Sequence, residues 1–293
     1  MHVLVTGGTG FIGQELVVAL VASGHRVSVL SRQAGQMPFR EGIHYASRLD
    51  GLRAVEAVIN LAGENLAERR WTATRKQQLR DSRIGTTQRL LSWMESLPTP
   101  PQTLISGSAI GYYGPRDDTP LDESAAPGAD FAAQLCRDWE AEALRAEALG
   151  LRVCTLRTGV VLGRDGGALA KMLPAFKLGG GGAMGNGQQW MSWVRRVDLV
   201  RLLVWLLENP GCHGAYNGTA PEPVRNREFA RALAASLRRP ALLPMPALAL
   251  RLLLGEMAGL LLSGQRVLPV RAQAEGFVFR HPSLDAALRE IVR

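Results

Sequence analysis

The sequence predicts an α/β fold, a doubly wound parallel sheet followed by a smaller C-terminal α/β region, and three observations carry that reading. An apolar run of strand length at the N-terminus feeds a glycine cluster that opens straight onto a helical pattern. Strand-like and helix-like segments then alternate as far as Gly163, the grammar of βαβ units. Beyond Asn209-Pro210-Gly211 the alternation gives way to shorter, mixed pieces.

The first element runs Met1-His2-Val3-Leu4-Val5-Thr6 into Gly7-Gly8-Thr9-Gly10-Phe11-Ile12-Gly13, with Gln14 to Val21 reading as the helix. The spacing Gly8-x-Gly10-x-x-Gly13, with Gly7 one place earlier, lets the backbone turn sharply and lie against a pyrophosphate at the helix N-terminus. A Cβ at Gly10 would occupy the phosphate's space, and one at Gly13 would push helix from strand. The turn residues Gly7, Thr9, Gly10, Phe11, Ile12 and Gly13 are therefore candidate cofactor contacts, although glycines also serve ordinary turns.

His25 to Leu30 supplies a second strand, and its end bears on cofactor choice. An NAD site places Asp or Glu roughly 20 residues after the glycines to hold the ribose 2′-hydroxyl. This chain has Ser31 and Arg32 instead. A carboxylate there would repel a 2′-phosphate, whereas a guanidinium pairs with it. The expected cofactor is NADP(H), with Arg32 as clamp and Ser31 as hydroxyl donor; the alternative is a solvated arginine at a strand end.

The next segments follow in order. Gln33 to Asp50 is turn-rich and stays unassigned. Val55 to Ala62 reads as the third parallel strand, and the small residues of Asn60-Leu61-Ala62-Gly63 let a backbone lie beside a cofactor. Thr72 to Met94 reads as one long amphipathic helix containing Arg83. Thr103 to Ser106 starts a fourth strand, and Ser108, Tyr112 and Tyr113 emerge at its C-terminal end, where open parallel sheets bind ligands. Asp130 to Leu149 is a helix, and Leu151 to Arg157 the next strand. The glycine-rich segment 179–187 is either a lid that closes over a ligand or a floppy surface loop. The division expected is 1–210 for the dinucleotide-binding domain and 211–293 for the smaller substrate-side region.

Composition narrows the remaining classes. With 293 residues, 46% of them hydrophobic, the chain can bury a substantial core. The most apolar stretch, Ala247 to Leu262, carries Arg251 and Glu256 and reads as a buried or groove-lining helix, not a membrane span. Cys136, Cys154 and Cys212 lie far apart with no C-x-x-C pair, which suggests neither a disulfide framework nor a zinc site, so no metal is expected. The same usage, with no cationic leader, points to the cytoplasm. A net charge of +8 is spread along the chain without aromatic interleaving, so neither nucleic acid nor membrane is an expected partner; a small-molecule substrate is.

With those residues laid out, the chain resembles the extended short-chain dehydrogenase/reductases, the NAD(P)-dependent epimerase/dehydratase family with its Rossmann fold. More narrowly, it is similar to the atypical subgroup that goes under the names epimerase-family protein or cell-division inhibitor. The residues behind this are Asn60 to Asn65, Arg70-Trp71-Thr72, Ser82-Arg83-Ile84, Ile110 to Gly114, Leu156 to Gly163, Trp190 to Trp193, Leu254 to Met257 and Gly264 to Pro269. The resemblance implies that Ser31 and Arg32 meet the adenosine 2′-phosphate, that Leu61, Ala62 and Gly63 flank the dinucleotide, that Arg83 turns toward the cofactor, and that Val160 lies near the nicotinamide. A homodimer is a candidate assembly. Arg195 and Val197 stand where the subgroup usually shows His and Asp.

The larger departure concerns catalysis. Typical family members use Tyr-x-x-x-Lys, in which the lysine lowers the phenol pKa from about 10. Here the tyrosines are Tyr45, Tyr112, Tyr113 and Tyr216, and none has lysine four places on. In the helix where the pair belongs, Ala132 and Cys136 stand in the tyrosine and lysine places. Ser108, Tyr112, Tyr113 or a bound water are the remaining proton donors, with both tyrosines equally readable as packing aromatics. Two functions stay open: an NADP-dependent oxidoreductase or epimerase on a small, unidentified substrate, and a nucleotide-binding sensor without turnover.

Overall fold

The computed structural model describes residues 1–241 and 243–292. The first strand, β1 (His2–Thr6), is buried along its whole length, the condition of a central parallel strand. It is followed by α1 (Gly13–Ala22), β2 (Arg26–Leu30), β3 (Ile43–Ala46) and β4 (Ala57–Asn60). Then come α2 (Ala73–Arg80), a π-helical turn (Asp81–Gly85) and α3 (Thr86–Glu95). The chain continues through β5 (Thr103–Ala109), β6 (Pro120–Leu121), α4 (Phe131–Leu144), β7 (Arg152–Thr158), β8 (Val160–Gly163) and α5 (Gly167–Lys177). After β9 (Trp190–Met191), β10 (Trp193–Arg195) and α6 (Arg196–Glu208) come β11 (Gly214–Gly218), β12 (Val224–Arg225) and α7 (Asn226–Ser236). The C-terminal part holds α8 (Ala247–Leu254), α9 (Gly259–Leu262), β13 (Arg266–Val267), α10 (Val270–Ala274) and α11 (Leu284–Val292).

Seven strands form one parallel sheet in the order β3-β2-β1-β4-β5-β7-β11. The period of two splits its side chains between two layers. Val3 and Val5 of β1 pack with Leu16 and Leu20 of α1 and with Leu199 to Leu206 of α6. Leu4, between them, faces Leu90, Leu91 and Met94 of α3 and Ala143 of α4. Helices thus cover both faces, and the doubly wound reading holds.

Several expectations are revised in detail. The unassigned stretch contains the edge strand β3, which is only partly buried and therefore lacks an apolar signature. The long helix is interrupted by the π turn that carries Arg83. Gly214–Gly218 pairs with β7 as the outer strand of the main sheet, so the division expected at residue 210 falls before that sheet is complete. Ala247 to Leu262 is not one buried helix: within α8 only Leu250 is buried, and the stretch breaks at Gly255 into shorter turns. The glycine-rich segment is tied down, with Met245 N donating to Ala183 O at 2.8 Å and Gly185 N to Met245 O at 2.9 Å. A Cβ at Gly182 would stand 2.3 Å from Leu243 O, which is why the segment is glycine here.

Candidate functional site

Strand order reverses at β1 and β4, and the crevice beyond their C-terminal ends is where such sheets bind ligands. Gly7 leaves β1 with φ +70°, and a Cβ on it would meet Leu61 O at 2.6 Å and Ala62 N at 3.0 Å. A Cβ on Gly13 would stand 2.1 Å from Gly7 O. Both glycines are demanded by the protein's own backbone. Gly10 differs: it is exposed, and the one atom near its missing Cβ is Gly7 O at 3.2 Å. The bare side of the turn is thus open, and the amides at the start of α1 have no side-chain cap. The cradle has room for a diphosphate beside the backbone of Thr9, Gly10, Phe11 and Ile12.

The remaining cofactor candidates fall into three groups. Leu61, Ala62 and Gly63 lie across the crevice from the glycine turn, brought there by the parallel register of β1 and β4. Ser31 and Arg32 sit at the tip of β2, next to β1; Arg32 is exposed and in none of the ion pairs among the described residues. Arg83 is buried and already engaged: it donates to Glu64 O at 2.8 Å and lies over the Trp139 ring at 5.4 Å, so it props the 61–64 loop from beneath. Val160 starts β8 and is held by its amide to Ser192 O. The Phe11 ring turns away into the 163–167 turn, where Cβ atoms at Gly163, Gly166 or Gly167 would strike it. Arg196 covers that ring and accounts for its side chain.

The proton-donor candidates meet one buried charge cluster. Ser108 donates its hydroxyl to Glu140 Oε1 at 2.6 Å. Glu140 pairs side-on with Arg157, at 2.9 Å through Nε and 2.8 Å through a terminal nitrogen. Arg157 also donates to the Tyr113 hydroxyl at 3.0 Å and to Glu123 O at 3.0 Å. Tyr113 in turn donates to Asn217 Oδ1 at 2.7 Å. Burial pushes the Tyr113 phenol up to about 12, although the Arg157 charge pulls the other way. Tyr113 is therefore a packing residue. Tyr112 is half-buried, its ring 3.5 Å from the Arg157 guanidinium carbon, and its hydroxyl makes no hydrogen bond within the described residues. Ala132 and Cys136 lie on the buried face of α4, 3.5 and 3.8 Å from the missing Cβ of Gly111. The Cys136 thiol is raised to about 12 by burial and then by Glu140, so it is a poor proton donor near neutrality.

Sequence reasoning missed Glu140, Arg157, Glu123 and Asn217 as parts of this site. The signal was a charge among buried neighbours: Glu140 shares a helix face with Cys136 and Ala143, and Arg157 directly follows Val153-Cys154-Thr155-Leu156 in a strand. Arg195, in the place of the subgroup's histidine, faces Glu290 and His281, away from the Ser108 cluster. Among the described residues no group of His, Cys, Asp and Glu is placed to hold a metal.

Comparison with known proteins gives a consistent picture. The model of the NAD dependent epimerase/dehydratase family matches residues 3–217, and that of a domain of unknown function, DUF1731, matches residues 245–291. Human epimerase family protein SDR39U1 is 41% identical over 297 residues, covering 100% of both chains. The chloroplastic SDR39U1 homolog of Arabidopsis thaliana is 43% identical, covering 100% of this chain and 87% of that protein. The crystal structure of human SDR39U1 (isoform2) with NADPH superposes with a TM-score of 0.92 at 39% identity, covering 99% of each chain. A nucleoside-diphosphate sugar epimerase from Corynebacterium glutamicum gives a TM-score of 0.79 at 31% identity, covering 100% of this chain and 58% of that one.

Proposed function

The chain belongs to the NAD-dependent epimerase/dehydratase family, and from that premise we propose that it binds NADP(H) and acts as an oxidoreductase or epimerase on a small substrate without the Tyr-x-x-x-Lys pair. The observation that carries the cofactor reading is the open turn at Gly10 beside a strand tip that offers Arg32 and no carboxylate. The likeness to human SDR39U1, crystallised with NADPH, supports it.

Bound nicotinamide would supply hydride chemistry. The chain's own residues orient and protonate. The glycine turn and the N-terminus of α1 hold the diphosphate, Arg32 pairs with the 2′-phosphate, and Leu61 to Gly63 wall the crevice opposite. Tyr112 is the proton donor of choice, because its hydroxyl is unspent within the described residues while those of Ser108 and Tyr113 are committed to the buried cluster. Arg157, stacked on the Tyr112 ring, holds that ring in place.

A second reading, a sensor that binds NADPH without turnover, is favoured by that same commitment of Ser108 and Tyr113. One experiment separates the two. NADPH oxidation is followed over a panel of carbonyl and sugar-nucleotide compounds, beside a fluorescence titration of NADPH. Turnover on any compound supports the enzyme; tight binding with none supports the sensor; no binding removes both.

A further inference from the structure

We propose that the α8 face docks peripherally on an anionic lipid surface, a role beyond the cofactor site. Leu248, Leu252 and Leu253 of α8 are each more than two-thirds exposed, and Leu243, Met245 and Leu178 extend the same apolar surface. The segments that carry them run side by side, joined through the Met184–Met245 bridge and the contact of Gly182 with Leu243. So much exposed leucine and methionine in one region marks an interaction surface.

Charge decides what the surface meets. Lys177, Arg238, Arg239 and Arg251 are exposed around it, and none makes a side-chain hydrogen bond or ion pair among the described residues. Residues 166–197 and 229–255, which together build the face, contain no Asp or Glu at all. Leucines ringed by unpaired cations are the composition of an interfacial helix: the leucines enter the acyl boundary and the long basic side chains reach the headgroups. A second copy of the chain fits poorly, because a two-fold contact would set this cationic rim against itself. The anchors are leucines, not the tryptophans and tyrosines on which protein interfaces depend. No helix among the described residues is long and apolar enough to cross a membrane, so the docking is peripheral.

The test is co-sedimentation of the full chain with phosphatidylcholine vesicles, with and without phosphatidylglycerol. The expected result is pelleting with the anionic vesicles alone, lost at high salt. Leu252→Asp with Leu253→Asp, and separately Arg239→Glu with Arg251→Glu, each weaken it at least roughly tenfold while the melting temperature stays near that of the wild type. Equal binding to neutral vesicles, or no binding to either kind, overturns the proposal. So does a dimer in solution that the leucine pair dissociates, which would assign the face to a second copy.

Discussion

Ser108 donates to Glu140 across 2.6 Å, and that carboxylate is also the buried partner of Arg157. The serine thus belongs to a charge cluster that the fold depends on. Glu140→Ala leaves the Arg157 guanidinium buried without its counter-charge, and urea denaturation should show a loss of about 3–5 kcal/mol. Ser108→Ala removes one donor to that carboxylate but leaves the ion pair, and should cost only about 1.5–3 kcal/mol. Equal costs for the two would mean that the pair does not anchor this region.

Tyr112→Phe tests the proton donor. Where a substrate supports turnover, kcat should fall about 10²–10⁴-fold, while the NADPH dissociation constant stays unchanged. Unaltered kcat would return Tyr112 to the packing residues and leave a bound water as donor.

Arg32→Ala should weaken NADPH by roughly 1.5–3 kcal/mol, the scale of a charge-assisted contact, and leave NADH nearly unaffected. Calorimetric titration of both nucleotides reads this directly. Matching losses would remove the 2′-phosphate assignment.

The glycine turn separates a folding role from a ligand role. Gly13→Ala drives a methyl group into the Gly7 carbonyl and should cost about 1–3 kcal/mol of stability. Gly10→Val, whose Cβ meets Gly7 O at 3.2 Å and no other atom within 4 Å, should melt near the wild-type temperature yet lose NADPH binding. The reverse pattern would mean that the diphosphate lies elsewhere.

His2 gives a pH test. Its ring is buried against Ser28 Oγ at 2.8 Å, and burial, followed by the Arg26 charge, holds the imidazole below its ordinary value of 6.5. A depressed folded pKa means that the stabilisation is complete above 6.5 and is lost as pH falls through the folded value. Between pH 8 and 5, the wild type should lose up to about 1.4 kcal/mol per pH unit more than His2→Gln in the acid range. Parallel curves would contradict this.

Much of this was legible in the chain because its signals are local. The glycine spacing, the end of β2 at Ser31-Arg32 and the alternation of apolar runs with helical patterns each sit within a few residues. What escaped needed partners far apart in sequence. Glu140 and Arg157 meet only once α4 lies on the sheet, and β3 shows itself only by pairing with β2. The exposure of α8 was hidden because a leucine-rich sequence reads as buried whatever covers it.

The π-helical turn at Asp81–Gly85 has a consequence for how this protein can diverge. An α-helix rotates by about 100° per residue. A π turn holds one residue more than an α turn, so deleting a single position there closes it to regular α-helix and keeps Thr87 on Asn60 and Leu90 on the sheet, while Arg83, which props the 61–64 loop, loses its place. A one-residue deletion is therefore the change in length that this helix absorbs best, and its cost falls on the floor of the crevice rather than on the packing of α3.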